Sequence, residues 1–270
     1  FQGSRGLGDV YKRQALAMAK SLGKPIICLF NMDSARIGRP DVDPIHIQWE
    51  LDCLRVLKTD IEAIGGVLLF HFGDVVDKLV EIHQKNSISS IYGNQETGLQ
   101  WSWDRDKSVS DWCNEEGVRF IEFPTNGVIR KLESRDTWKK ERDSRMEKSA
   151  IIPPTEIIPP IGVESDRIPD ISDFGLVGRP LVNRPDPGEK SAAATLQSFL
   201  DGRGRSYRKD MSSPISAQSA CSRLSPFISV GCITIRQILH QTKKKVEAVK
   251  RDPRAKENLG WTGSLSSFQS

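Results

Sequence analysis

Four short apolar runs punctuate the first half of the chain: Ile26–Phe30, Val67–Phe72, Ser87–Tyr92 and Val118–Phe123. They are mostly continuous rather than alternating, so they read as strands buried on both faces. Helical patterns separate them. Ala15–Leu22 is rich in helix formers, and Asp43-Pro44 starts a helix with Trp49, Leu51, Leu54, Leu57, Ile61 and Ile64 on one side. Asp74–Gln84 and Thr97–Gly117 continue the alternation, and Gly65-Gly66 ends the long helix. Strands alternating with helices predict βαβ units, a parallel sheet and right-handed crossovers with helices on both faces. Ligands in such sheets sit beyond the carboxyl ends of the strands. Those ends here carry Asn31-Met32-Asp33, His71-Phe72-Gly73-Asp74, Asn94-Gln95-Glu96 and Pro124-Thr125-Asn126.

The pattern changes after a charged helix at Arg135–Lys148. Residues 151–187 hold eight of the chain's 15 prolines, a density that forbids regular helix and reads as an extended interdomain linker. Beyond it every pattern is helical: Gly188–Asp201, Ser225–Gly231, then Thr234–Lys250 with Ile235, Ile238, Leu239, Val246 and Val249 at helical spacing. The expected architecture is an α/β parallel-sheet (Rossmann-like) domain over residues 15–150, the linker, and the beginning of an all-α domain over 188–270. Residues 1–14 are set apart, because Gly8-Asp9-Val10-Tyr11-Lys12-Arg13-Gln14 resembles translated adaptor sequence.

Composition narrows the function classes. With 270 residues, 37% hydrophobic, 27% charged and a mean hydropathy of -0.41, the chain reads as soluble and globular, with room for two modest domains. No apolar run reaches the roughly 18 residues of a membrane helix, and no secretory signal is visible. Cys28, Cys53, Cys113, Cys221 and Cys232 lie far apart without a CxxC pair, so neither a zinc site nor a disulfide scaffold is expected, and the cytoplasm is the expected compartment. His46, His71, His83 and His240 have no ligand spacing. Net charge is +4 with a pI near 8.8. The basic residues cluster at Arg203, Arg205, Arg208 and Lys209 and again at Lys243-Lys244-Lys245 and Lys250-Arg251, where they suit either a nucleic-acid backbone or plain solvation. No GxGxxG or Walker loop is present. Trp101, Trp103 and Trp112 share one predicted helix and read as packing, as do Trp49 and Trp138.

Candidate chemistry concentrates at Ser222-Arg223-Leu224-Ser225-Pro226-Phe227-Ile228-Ser229-Val230-Gly231. Ser225 suits an N-cap, Pro226 the first helical position and Gly231 the stop; Thr234-Ile235-Arg236-Gln237 has capping-box spacing for the next helix. Such a corner is either a capped turn or, through its free N–H groups and positive dipole end, a cradle for an anion such as a phosphate.

Together these segments resemble the photolyase/cryptochrome flavoprotein family, from about Ala15 to Ser270. Gln95-Glu96-Thr97-Gly98, Arg105-Asp106-Lys107, Trp112-Cys113, Glu122-Phe123-Pro124, Asn126-Gly127-Val128-Ile129-Arg130 and Arg135-Asp136-Thr137-Trp138 are similar to the second half of its α/β antenna domain. Gly188-Glu189 with Ala192, Leu196, Phe199 and Leu200 is similar to the first helix of its FAD-binding domain; Tyr207, Arg208, Lys209, Asp210 and Pro214 resemble a loop of that domain, and Ser222–Ser225 with Gly231 and Arg236 its FAD-phosphate segment. The resemblance implies FAD as cofactor, with contacts from Tyr207, Ser222, Arg223, Leu224 and Ser225, and Cys221 standing where the family commonly has threonine. It also implies an antenna chromophore of folate or deazaflavin type in the α/β domain, near Gln95 and Glu96. The implied function is blue-light-driven, FAD-dependent repair of pyrimidine dimers in damaged DNA by a deoxyribodipyrimidine photolyase-type lyase. A cryptochrome-like photoreceptor without repair activity is the alternative, and a nucleotide-binding module unrelated to light is a third. A monomer without membrane partners is expected. The family's first strand has no counterpart here, and its flavin-ring residues, catalytic groups included, are expected beyond residue 270. The 270-residue chain is therefore expected to be inactive and to hold FAD weakly.

Overall fold

The computed structural model describes residues 10–149, 152–180, 183–253 and 259–269, with side chains from residue 14 onward and not at 259. Phe1–Asp9 and Ser270 lie outside this set. Helix α1 (Val10–Ser21) leads to strand β1 (Ile27–Met32), α2 (Pro44–Ala63), β2 (Val67–Phe72), α3 (Val75–Asn86), β3 (Ser90–Asn94), α4 (Gln100–Glu115), β4 (Arg119–Phe123) and α5 (Arg135–Glu147). The helical part contains α6 (Glu189–Asp201), α7 (Tyr207–Asp210), α8 (Ala217–Ala220), α9 (Ser225–Val230), α10 (Ile235–Arg251) and α11 (Leu259–Gln269). Helix α1 thus starts inside the stretch set apart as adaptor-like.

The local signals explain most boundaries. The Asp43 carboxylate accepts from the Ile45 N–H at 2.9 Å, one residue ahead of Pro44, and Asp74 does the same for Val76 at 2.7 Å. Thr234 and Gln237 form a complete capping box ahead of α10. Strand β3 begins later than its apolar run suggests, because Ser87 takes a left-handed turn (φ 50°) that ends α3 first.

The strands form two parallel pairs, β1–β2 and β3–β4, rather than one sheet. Period-two alternation divides the β1–β2 pair between two cores. Phe30, Met32 and Leu68 face α2 and the helical part, joining Leu54, Ile61, Leu196, Phe199, Leu224, Phe227, Ile238 and Leu265. Leu29 and Leu69 face the other way, where Val75, Leu79 and Ile82 of α3, Val109 and Trp112 of α4, Ile91 and Val118 bridge the two pairs. Between β1 and β3 lies a cavity of about 900 Å³, roofed in part by Leu16, Ala19 and Leu22.

The proline-rich segment is extended, and it is also tied down. Ile157 donates its N–H to the Ile64 carbonyl at 2.9 Å, and Ile26 donates to the Ile158 carbonyl at 2.8 Å. Farther on, Leu68 and Phe70 of β2 donate to the Ser165 hydroxyl (3.1 Å) and the Asp166 carboxylate (2.9 Å), while Asp166 N–H returns to the Leu68 carbonyl (3.0 Å). A Cβ on Gly66 would lie 2.4 Å from Ile157 Cδ1 and 2.8 Å from Ile61 Cγ2, so any larger residue there would force those side chains to shift.

Candidate functional site

The bend at 221–225 is built by burial and by one arginine. Leu224 and Phe227 drop into the core shared with α2, and Trp49 of α2 meets Phe227 edge-on at 5.5 Å while its Nε1–H donates to the Pro226 carbonyl at 2.8 Å. Arg203, in the short turn after α6, donates through Nη1 to the Cys221 carbonyl (2.7 Å) and through Nη2 to the carbonyls of Thr195 (3.1 Å) and Ser222 (3.3 Å). Its Nε donates to the Ser198 hydroxyl at 2.9 Å. Four hydrogen bonds thus hold the bend against α6. Arg203 stood out in the sequence only as one of several clustered basic residues, so its structural task was invisible there.

The N-cap expectation is corrected. Leu224, not Ser225, caps α9, without a side-chain hydrogen bond; Ser225 is the first helical residue and Pro226 the second. The reason is packing: Leu224 must bury its side chain, which moves the helix start one residue earlier and leaves the Ser225 side chain exposed. Gly231 does end the helix in the left-handed conformation (φ 72°).

Arg223 also has left-handed backbone (φ 62°), a conformation that costs about 1 kcal/mol or more for a side chain with a Cβ. Its charge lies close enough to lower the pKa of Arg203, second to burial as a cause. Among the described residues neither arginine is paired with a carboxylate. Two like charges at a strained bend make a cationic surplus that an anion would relieve. Arg236 is buried in the first turn of α10. Tyr207 packs between Phe199 (5.6 Å) and Phe268 (5.7 Å), both edge-on, and is half-buried. The Ser264 hydroxyl donates to the Arg205 carbonyl (2.9 Å) and accepts from the Arg208 N–H (3.3 Å), latching α11 onto the Tyr207 turn. Ser222, Arg223, Leu224 and Ser225 are contiguous on the bend, and Leu224 can offer a ligand only its backbone.

The carboxyl ends of β3 and β4 carry a second polar centre. Glu96 is buried and accepts from the N–H groups of Thr97 (2.8 Å) and Gly98 (2.6 Å); Arg130 Nε donates to its carbonyl (2.8 Å). Arg105 pairs with Asp106 at 2.7 Å, and Arg130 Nη1 reaches both Glu122 oxygens at 2.9 Å. Three carboxylates thus share two guanidiniums, and burial raises the pKa of Asp106 and Glu122 above the usual carboxylate range. Glu96 is committed to this network. Asn94 Oδ1, Gln95 Oε1 and Trp101 Nε1 are buried polar atoms without a hydrogen-bond partner among the described residues. Trp112 is a core residue against His83, whereas Trp103 and Trp138 are partly exposed platforms for Arg130 (4.4 Å) and Arg142 (5.0 Å). Among the described residues no cluster of His, Cys, Asp or Glu could hold a metal.

Residues 12–144 match the family model described as DNA photolyase. The chain belongs to the photolyase/cryptochrome family. A deoxyribodipyrimidine photo-lyase of Synechococcus is 22% identical over 90% of this chain and 53% of its own length. A cryptochrome DASH of Danio rerio is 23% identical over 76% of this chain and 43% of its own. The crystal structure of a class III photolyase from Agrobacterium tumefaciens superposes with a TM-score of 0.74 at 19% identity, over 95% of this chain and 54% of that one. The chain therefore spans about half the length of the photolyase it matches. The parallel strands with helices, followed by a helical region, are the fold of photolyase N-terminal halves. No helix among the described residues is long and apolar enough to cross a membrane.

Proposed function

We propose that the chain is the front part of a light-driven, FAD-dependent DNA photolyase, and that the 222–225 bend holds the flavin's diphosphate. The observation that carries this reading is the Arg203–Arg223 pair, two neighbouring cations with no carboxylate among the described residues. A diphosphate fits that surplus in charge and hydrogen-bonding capacity. Arg223 and the hydroxyls of Ser222 and Ser225 would hold the phosphates, Leu224 its amide, and Tyr207 the edge of the pocket. FAD, when bound, supplies the light-driven electron for dimer cleavage. The chain's own residues bind it, orient it and exclude water around it. Damaged DNA is the proposed substrate, with exposed Lys244, Lys250 and Arg251 of α10 available to its backbone. An antenna pigment near Asn94, Gln95 and Trp101 would partner their orphaned polar atoms. The division into residues 15–150, 151–187 and 188–270 is proposed on the same reading.

Titration with FAD, ADP and riboflavin, followed by tryptophan fluorescence, tests the assignment. FAD and ADP should bind and riboflavin should not, and Arg223→Ala should weaken FAD about tenfold, near 1.4 kcal/mol. Equal binding of riboflavin, or no effect of Arg223→Ala, would overturn it. A relative from Arabidopsis thaliana named as a blue-light photoreceptor, 23% identical over 88% of this chain, favours a photoreceptor as second reading. The full-length protein, loaded with FAD and lit with blue light in the presence of dimer-containing DNA, separates the two: restored DNA means repair, bound FAD without restoration means a receptor.

A further inference from the structure

The five cysteines are scattered along the sequence, and the fold brings two of them together. Cys53 lies in the middle of α2, one turn after Trp49 and on the same face. Trp49 meets Phe227 of α9 edge-on at 5.5 Å and donates to the Pro226 carbonyl at 2.8 Å, so this face of α2 rests on α9. Cys232 follows the Gly231 stop of α9, and its N–H donates to the Phe227 carbonyl at 2.8 Å. The two side chains thus reach one point of the shared core, within hydrogen-bonding reach of each other. Both are free thiols, 2% and 4% exposed.

The pair stands apart from the other cysteines. Cys113 belongs to the second core, where burial alone pushes its thiol up to about 11. Cys28 and Cys221 are half-buried. Cys53 is pushed up first by its hydrogen bond to Cys232 and then by burial, against the Gly188 N–H, which donates to it and favours its thiolate. Two neutral, enclosed thiols are closed to bulky or charged oxidants, and a small uncharged hydroperoxide is the class of reagent that can reach them.

We propose that Cys53 and Cys232 are an oxidative modification site, a dithiol that a hydroperoxide closes into a disulfide tying α2 to the turn between α9 and α10. One thiol gives up its proton and its sulfur attacks a peroxide oxygen; the O–O bond breaks, leaving a sulfenic acid and, from hydrogen peroxide, one water. The other sulfur attacks the sulfenic sulfur, the S–S bond forms and the S–O bond breaks to release a second water. The thiols lose two electrons and two protons, and the peroxide takes up both. The bond joins residues on either side of the proline-rich segment, so oxidation locks the α/β part to the helical part. The inference is independent of the flavin assignment, because neither cysteine belongs to the 222–225 bend.

The test exposes the full chain, freed of reductant, to hydrogen peroxide and maps it by non-reducing proteolysis and mass spectrometry. A cross-linked Cys53–Cys232 peptide should appear, and the free-thiol count of the five cysteines should fall by two. The melting temperature should rise by about 5–10 °C, and dithiothreitol should reverse all three changes. Cys232→Ala should abolish the cross-link and the rise together. Absence of this cross-link, or cross-linking to Cys28, Cys113 or Cys221 in its place, would overturn the proposal. Equal cross-linking by oxidised glutathione would overturn the assignment to hydroperoxides. If Cys232→Ala does not fold, the peptide map of the unchanged chain still decides.

Discussion

The two edges of the β1–β2 pair meet the same physical demand in different ways. The β2 edge is covered by an irregular proline-rich strap whose Ser165 and Asp166 stand in for a neighbouring strand. The β1 edge opens on a cavity, with β3 facing it from the other side. Regular secondary structure is therefore not needed to close a sheet edge; correctly placed acceptors are enough. Where no described segment supplies them, side chains of α3 and α4 pack the two strand pairs around a shared core.

The comparison can be broken most severely from the core that backs the closed edge. Phe227→Ala should cost about 3–5 kcal/mol in urea denaturation, because the ring is fully buried between α2 and the helical part. Trp49→Phe deletes the bond to the Pro226 carbonyl and part of the packing, and should cost about 1–3 kcal/mol, with faster amide exchange concentrated in α9 and α10. Asp166→Ala should cost about 1–2 kcal/mol and speed exchange at Phe70 while leaving Leu29 and Ser90 unchanged. An equal effect at both edges would show that they are not separate.

The smallest effects are electrostatic. Burial holds the folded pKa of Asp106 and Glu122 above the ordinary 3.8 and 4.5. Each then binds its proton more tightly in the folded state, so this contribution is present at pH below those ordinary values and is lost as pH rises through the raised ones. Stability measured upward from about pH 4 should show this loss, and Glu122→Gln should flatten it. Glu81 provides the opposite sign. Lys78 and Lys85 hold it at about 2, so its small, solvent-screened contribution exists above 4.5 and disappears as pH falls toward 2.

Local chemistry was legible wherever one residue and its immediate neighbours decide the outcome. Asp43 before Pro44, the Thr234/Gln237 box and the Gly231 stop all follow from short-range hydrogen bonding or backbone freedom. Ser225 shows the limit, since the burial of Leu224 outweighed a good capping side chain. Arg203 marks another, because its four acceptors come from residues 195, 198, 221 and 222, and nothing in a basic cluster says which carbonyls it will meet.

The sequence by itself determined the order of strands and helices, the caps at Asp43, Thr234 and Gly231, the extended character of the proline-rich segment and the family to which these motifs belong. Each depends on interactions within a few residues, or on patterns that survive without coordinates. Only the tertiary structure decided that the strap closes β2, that among the described residues β1 and β3 are not paired with each other, and that Arg203 and Arg223 lie near each other with no carboxylate partner among those residues. Those outcomes depend on contacts between residues far apart in the chain, whose hydrogen bonds and charges are allotted only once the cores have packed.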